Sequence, residues 1–130
     1  MKCLTIKQPY AELIASGIKK AEIRSWKTKY RGEIFIHAGL GIDKAYLNKY
    51  KDVIDIENLD SSAIIAKCNV VDCVKIDENF IKKYNEDNKD SGYYISNKNI
   101  GNYAFILEDI QKIDKIPAKG KLSFWEYKEC

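Results

Sequence analysis

The stretch from residue 63 to 76, AIIAKCNVVDCVKI, constrains this chain more than any other. It is long and rich in Ile and Val, whose branched side chains fit a pleated, buried surface better than a helix. Strand-like segments continue around it. EIFIHA (33–38) alternates Phe35 and His37 against Ile34 and Ile36, and YAFILEDIQKI (103–113) reads as another strand. LSFWEY (122–127), carrying Trp125, closes the chain, and the short KCLTI (2–6) opens it. Strands therefore dominate from residue 33 onward.

Helical signals are shorter. Pro9 suits the first position of a helix over 9–16, with Tyr10, Leu13 and Ile14 on one face, Glu12 in the first turn and Gly17 as the stop. Asp43 is an N-cap for a helix over 43–51 that turns Tyr46, Leu47 and Tyr50 inward, and Asp77 caps another over 78–84. The run NEDNKDSG (85–92) reads as a polar loop. Tyr93 and Tyr94 either pack on the core or line a cleft. With no linker, repeat or low-complexity tract, residues 1–130 form a single domain. Its expected architecture is a curled, barrel-like mixed sheet carrying two or three short helices.

Charge is concentrated in one place. The net charge is only +3, but GIKKAEIRSWKTKYRG (17–32) holds Lys19, Lys20, Arg24, Lys27, Lys29 and Arg31 around the single acid Glu22, with Trp26 and Tyr30 interleaved. Period-two alternation puts Lys20, Glu22, Arg24 and Trp26 on one face of a strand. Such a face is either the solvated side of an edge strand, with Glu22 paired to Arg24 or Lys20, or a binding surface. A large indole among charges favours the second, because Trp stacks on bases, and the cations favour an anionic partner such as nucleic acid.

Other features exclude functions. The amino terminus shows no signal-peptide pattern, and no stretch has the roughly 20 apolar residues of a membrane span, so the chain reads as cytoplasmic with no membrane partner. Cys3, Cys68, Cys73 and Cys130 fit neither paired zinc-ligand spacing nor a Cys/His cluster; they read as small hydrophobes plus a free terminal thiol. No metal or cofactor is expected. His37, the sole histidine, reads as a hydrogen-bonded structural group, and Gly39-Leu40-Gly41 closes its strand without a phosphate-binding motif.

The segment CLTIKQPYAELIASGIKKAEIRSWKTKYRGEIFIHAG resembles the opening of the ASCH domain (activating signal cointegrator homology), of the PUA-like superfamily. The match lies in QPY, in the G-x-K-x-x-E-x-R-x-W pattern of Gly17, Lys19, Glu22, Arg24 and Trp26, and in Arg31-Gly32. Strand 63–76, NYAFILEDI and PAKGKLSFW resemble the family's later strands. The resemblance implies an α+β fold, a PUA-like mixed β pseudo-barrel with a cleft lined by the motif, and an RNA or other nucleic-acid partner. It implies that Lys19 and Arg24 contact phosphate or a base edge, that Glu22 accepts hydrogen bonds from an exocyclic amine or orients Arg24, and that Trp26 and Tyr10 stack or shape the cleft wall. Lys27, Lys29 and Arg31 are expected to follow the backbone at the rim.

Two enzymatic alternatives come with the same resemblance. Some ASCH proteins are amidohydrolases of N4-acylated cytidine, using the motif lysine, a threonine three residues later and a glutamate on a later strand. Lys19 matches, but Glu22 stands at the threonine position, and a gapless reading puts Asn69 near the glutamate position; Thr28 has nothing to place it in the cleft. If the chain is an enzyme, Lys19 and Glu22 are its candidate catalytic residues. A ribonuclease with a metal would need acids such as Glu22, Glu33 and Asp72 to converge, and their spacing gives no reason for that. The sequence leans toward a binding module and away from an enzyme.

Overall fold

A computed structural model describes residues 1–128. In chain order its elements are strand β1 (Lys2–Gln8), helix α1 (Tyr10–Ala15), β2 (Ala21–Arg24), β3 (Gly32–Ile42), β4 (Ala63–Lys75), helix α2 (Glu78–Asp87), β5 (Tyr103–Pro117) and β6 (Phe124–Glu126). Short 3-10 turns cover Lys44–Tyr46, Asn48–Tyr50 and Asn97–Asn99. The strands form one mixed sheet, ordered β2-β5-β4-β3-β1-β6, in which only β1 and β3 run parallel among the described residues. This is the α+β architecture expected from the strand pattern.

The long strands curl because their pairing is interrupted. The β4–β5 ladder shifts register at three points and β3–β4 at one. Each extra residue bends its strand and increases the local twist. Curling brings the two edge strands toward each other, and side chains complete the seam. Arg24 at the end of β2 donates through Nη2 to the Thr5 carbonyl at 2.8 Å. Thr5 lies just beyond Lys2–Leu4, the part of β1 that pairs with β6. Trp26 packs edge-on against Phe105 of β5 and Phe124 of β6, with ring centroids 5.1 and 5.8 Å away.

Two apolar clusters fill the molecule. One lies inside the curl, built from Leu4, Ile6, Ile14, Ile34, Ile36, Ile65, Val70, Phe105 and Leu107, with Trp26 and Phe124 packed against it. The other joins Leu13 and Ala21 to Ile76, Ile81, Tyr84, Tyr50, Tyr93 and Ile95. The Tyr84 hydroxyl of α2 accepts the Lys20 N–H at 2.9 Å, which holds the entrance to β2 against the second cluster.

Several boundaries differ from expectation. The segment 43–51 forms two 3-10 turns instead of a helix: the Asp43 carboxylate caps nothing, because it accepts the Tyr10 hydroxyl at 2.8 Å. Asp77, by contrast, caps α2 by accepting the Phe80 N–H. That helix runs to Asp87, three residues into the predicted loop, and Asn85 pins the following segment through reciprocal bonds to the Ile95 backbone. β3 continues through Gly39-Leu40-Gly41 to Ile42, which pairs with Gln8, and a side chain at Gly39 would sit 2.8 Å from Thr5 Cγ2 on the parallel neighbour. β2 ends at Arg24, so Trp26 does not share its face with Glu22 and Arg24 as the alternation implied. No helix among the described residues is long and apolar enough to cross a membrane.

Because Trp26 closes the seam, Trp26→Ala is expected to destabilise the fold by about 3 kcal/mol, in the range for removing a packed aromatic side chain. An indole standing free in solvent would give a change within about 0.5 kcal/mol. Equilibrium urea unfolding separates the two.

A cationic cavity walled by tyrosines

The start of the chain builds one wall of a cavity of about 600 Å³. Gln8 is buried: its Oε1 accepts the Glu12 N–H at 2.9 Å and its Nε2 donates to the Asp60 carbonyl at 3.0 Å. The side chain thereby satisfies a free donor at the start of α1 and fixes that helix on β1. Tyr10, in the first turn, turns into the cavity. Lys19 follows the helix stop at Gly17, and Glu22 and Arg24 come from β2. Tyr46, Lys49 and Tyr50 arrive from the 3-10 turns, and Tyr93, Tyr94 and Lys98 from the chain after α2.

At the floor, one carboxylate holds two cations. Lys19 Nζ donates to Glu22 Oε1 at 2.7 Å, and Arg24 Nε donates to Oε2 at 2.9 Å. Lys19 is 4% exposed and Glu22 5%. Burial alone pushes the Glu22 carboxyl upward, but the charges and hydrogen bonds of Lys19 and Arg24 outweigh it and hold the group below the usual glutamate value of 4.5. Lys19 also lies over the rings of Tyr10 and Tyr93, at 5.1 and 5.5 Å from their centroids. The three charged groups carry a net positive charge in a low-dielectric setting.

Among the described residues, five cations (Lys7, Lys19, Arg24, Lys49, Lys98) and one carboxylate, Glu22, line the cavity. Leu40, 78% exposed, and Leu122, 92% exposed, stand at its mouth. Of the residues singled out from sequence, Tyr10, Lys19, Glu22 and Arg24 come together here. Trp26, Lys27, Lys29 and Arg31 do not line the cavity. Lys27 and Lys29 are exposed, and Arg31 bonds the Thr28 and Tyr30 carbonyls and pairs with Asp72 at 3.6 Å. Sequence reasoning missed Lys7, Lys49 and Lys98. For Tyr93 and Tyr94 it left two roles open; both line the cavity, and Tyr93 also packs into the second cluster.

His37 is fully engaged. Its Nε2–H donates to the Ala118 carbonyl at 2.7 Å, leaving Nδ1 to accept from the Thr5 hydroxyl at 3.2 Å, and the Trp125 indole N–H donates to that hydroxyl at 2.9 Å. A Cβ at Gly120 would lie 2.5 Å from the imidazole and 2.7 Å from Thr5 Oγ1, so the loop roofs the pair closely. A hydroxyl beside an imidazole is a chemical pairing found in hydrolases. Here both partners serve a closed network tying β1, β3 and β6 together.

The remaining candidates lie elsewhere. Asn69 donates to Asp109, and Thr28 Oγ1 accepts the Tyr30 N–H; neither lines the cavity. Glu33 and Asp72 are exposed, unlike the buried Glu22, and neither lines the cavity. No three His, Cys, Asp or Glu side chains are grouped to hold a metal ion among the described residues. Cys3 and Cys68 are buried, their thiols pushed up to about 12 by desolvation, and Cys73 is half-buried; Cys130 lies outside the described residues.

Comparison with known proteins bears on this architecture. The ASCH domain model matches residues 4–117. Activating signal cointegrator 1 of Homo sapiens is 29% identical over 135 residues, and that of Mus musculus over 136, covering 95% of this chain and 22% of either relative. This chain therefore spans less than a quarter of those proteins. The crystal structure of ASCH from Zymomonas mobilis aligns with a TM-score of 0.62 at 16% identity, over 98% of this chain and 87% of the other. A tyrosine-to-phenylalanine mutant of the Zymomonas protein gives 0.56 at 18% identity, over 88% and 73%. At such identities the structural likeness is one of fold.

Removing the shared carboxylate leaves buried Lys19 beside half-buried Arg24 with no counter-charge, so Glu22→Gln is expected to destabilise the protein by about 3 kcal/mol. The pH dependence has a definite sign. The folded-state value of Glu22 is depressed, so its stabilisation is complete above 4.5 and is lost as pH falls through the folded value. Urea midpoints measured through the acid range should fall more steeply for the wild type than for Glu22→Gln.

Proposed function

We propose that this chain, which belongs to the ASCH domain family, is a nucleic-acid-binding module whose ligand enters the tyrosine-walled cationic cavity. The observation that carries this reading is the lining itself: five cations against one neutralised carboxylate, interleaved with Tyr10, Tyr46, Tyr50, Tyr93 and Tyr94. Cations supply attraction for phosphates, and aromatic faces supply sequence-tolerant stacking. RNA is the partner that the family resemblance favours.

Roles within the cavity follow from chemistry. Lys19 and Arg24 present donors at the floor, and Glu22 orients both. Stacking falls to the tyrosines, since the Trp26 ring is packed between Phe105 and Phe124. Lys7, Lys49 and Lys98 contact phosphates nearer the mouth, and Lys27, Lys29 and Arg31 contact the strand outside it. A hydrolase would use the Glu22 position as a nucleophile, yet both Glu22 oxygens are committed to Lys19 and Arg24. The binding role uses these residues as they stand.

Affinity for a short single-stranded RNA, followed by fluorescence anisotropy, is expected to fall linearly on a log–log plot against salt, with a slope of about 0.7 per phosphate contacted. Lys49→Ala and Lys98→Ala should each lower affinity across sequences and reduce that slope by about one contact. Salt-independent binding, or slopes unchanged in both variants, would overturn the proposal.

A further inference from the structure

The inner end of the cavity has a character of its own. Tyr50 is 3% exposed and Tyr93 6%, and their rings lie 6.2 Å apart. Neither hydroxyl has a hydrogen-bond partner among the described residues, while the Tyr10 hydroxyl is bonded to Asp43 and that of Tyr94 to the Lys89 carbonyl. Yet no buried side-chain oxygen or nitrogen among the described residues is left without a partner. Both tyrosine oxygens therefore reach open space, and the cavity is the space that these buried residues line. Two hydroxyls on nearly buried rings, each with no protein partner among the described residues, are thus free to donate to a ligand in the cavity.

The groups around these hydroxyls determine what they can bind. Lys19 has three N–H donors and one bond, to Glu22. Arg24 uses Nε and Nη2 on Glu22 and Thr5, leaving Nη1 without a partner among the described residues. Burial pushes the Tyr50 and Tyr93 hydroxyls above their ordinary value, which keeps them protonated. Glu22 is neutralised by both cations, whereas Asp43 bonds the Tyr10 hydroxyl and keeps a negative charge that acts on Tyr50 from outside the cavity lining. The recess thus offers donors from several directions and demands acceptors.

Resting on the nucleic-acid reading above, we infer that Tyr50, Tyr93, Lys19 and Arg24 form a pocket for a phosphate monoester, carried on a strand terminus or on a free nucleotide. A cavity of about 600 Å³ is in the size range of single-ligand pockets, roughly 300–1,000 Å³. A phosphodiester would have to continue on both sides, whereas Lys19, Tyr50 and Tyr93 at this end are nearly removed from solvent. A terminal phosphate needs only one exit. Lys7, Lys49, Lys98 and the apolar Leu40 and Leu122 lie along that exit.

Calorimetric titration of the full chain tests this with inorganic phosphate, adenosine, adenosine 5′-monophosphate, and one short single-stranded RNA bearing a 5′-phosphate, a 3′-phosphate or hydroxyls at both ends. Phosphorylated probes are expected to bind about tenfold tighter than their hydroxyl counterparts, the order of one or two charge-assisted hydrogen bonds. Tyr50→Phe and Tyr93→Phe keep the rings and remove the hydroxyls. They should abolish most of that preference while leaving thermal midpoints unchanged. Preference for a phosphorylated RNA end supports a strand terminus, and preference for adenosine 5′-monophosphate alone supports a free nucleotide. Equal, salt-dependent binding of all three RNAs would overturn the monoester pocket and leave the nucleic-acid reading standing. Binding of none would overturn both, and a phosphate preference that survives both substitutions would overturn this assignment.

Discussion

The Glu22 carboxylate, shared by Lys19 and Arg24, is the interaction on which the rest of the molecule depends. Two cations brought together in a poorly solvated place repel each other, and one carboxylate between them turns that repulsion into a net attraction. The same guanidinium reaches the Thr5 carbonyl across the gap between the ends of the sheet. The floor and the closure of the curl therefore share one side chain. Any change in Glu22 alters the shape of the sheet together with the electrostatics of the cavity.

Around this centre the aromatic residues divide according to their polar atoms. Phe105, Phe124 and the body of Trp26 pack into the dry interior of the curl, where apolar edges and faces suffice. Tyr10, Tyr46, Tyr50, Tyr93 and Tyr94 occupy the boundary between interior and cavity, where a hydroxyl can find a partner or open space. Tyr10 finds Asp43, which costs the 43–51 segment its helix cap and shapes it into 3-10 turns. Tyr50 and Tyr93 open onto the cavity.

On the opposite side of the seam a chain of hydrogen bonds joins β1, β3 and β6. Trp125, Thr5, His37 and Ala118 pass hydrogen bonds along a single direction, and Gly120 lets the backbone lie against them. Through Thr5 this network meets Arg24, since one residue offers its carbonyl to the guanidinium and its hydroxyl to the imidazole. Such networks are stiff when every member is satisfied. A rigid Thr5 fixes where Arg24 can point, and so fixes the donor that the cavity presents.

The sequence by itself determined the strand-rich α+β class, the apolar faces, the α2 cap at Asp77 and the basic motif of Lys19, Glu22 and Arg24. These are local properties, written in side-chain branching, alternation and capping chemistry. It could not separate Trp26 from the cavity, because alternation holds only while a strand lasts and β2 ends two residues earlier. Nor could it gather Lys7, Lys49, Lys98, Tyr50 and Tyr93, which no period links and which meet only when distant segments fold over the curled sheet. Only tertiary structure decided which rings and charges share one cavity, since burial and electrostatic coupling depend on distance in space and not along the chain.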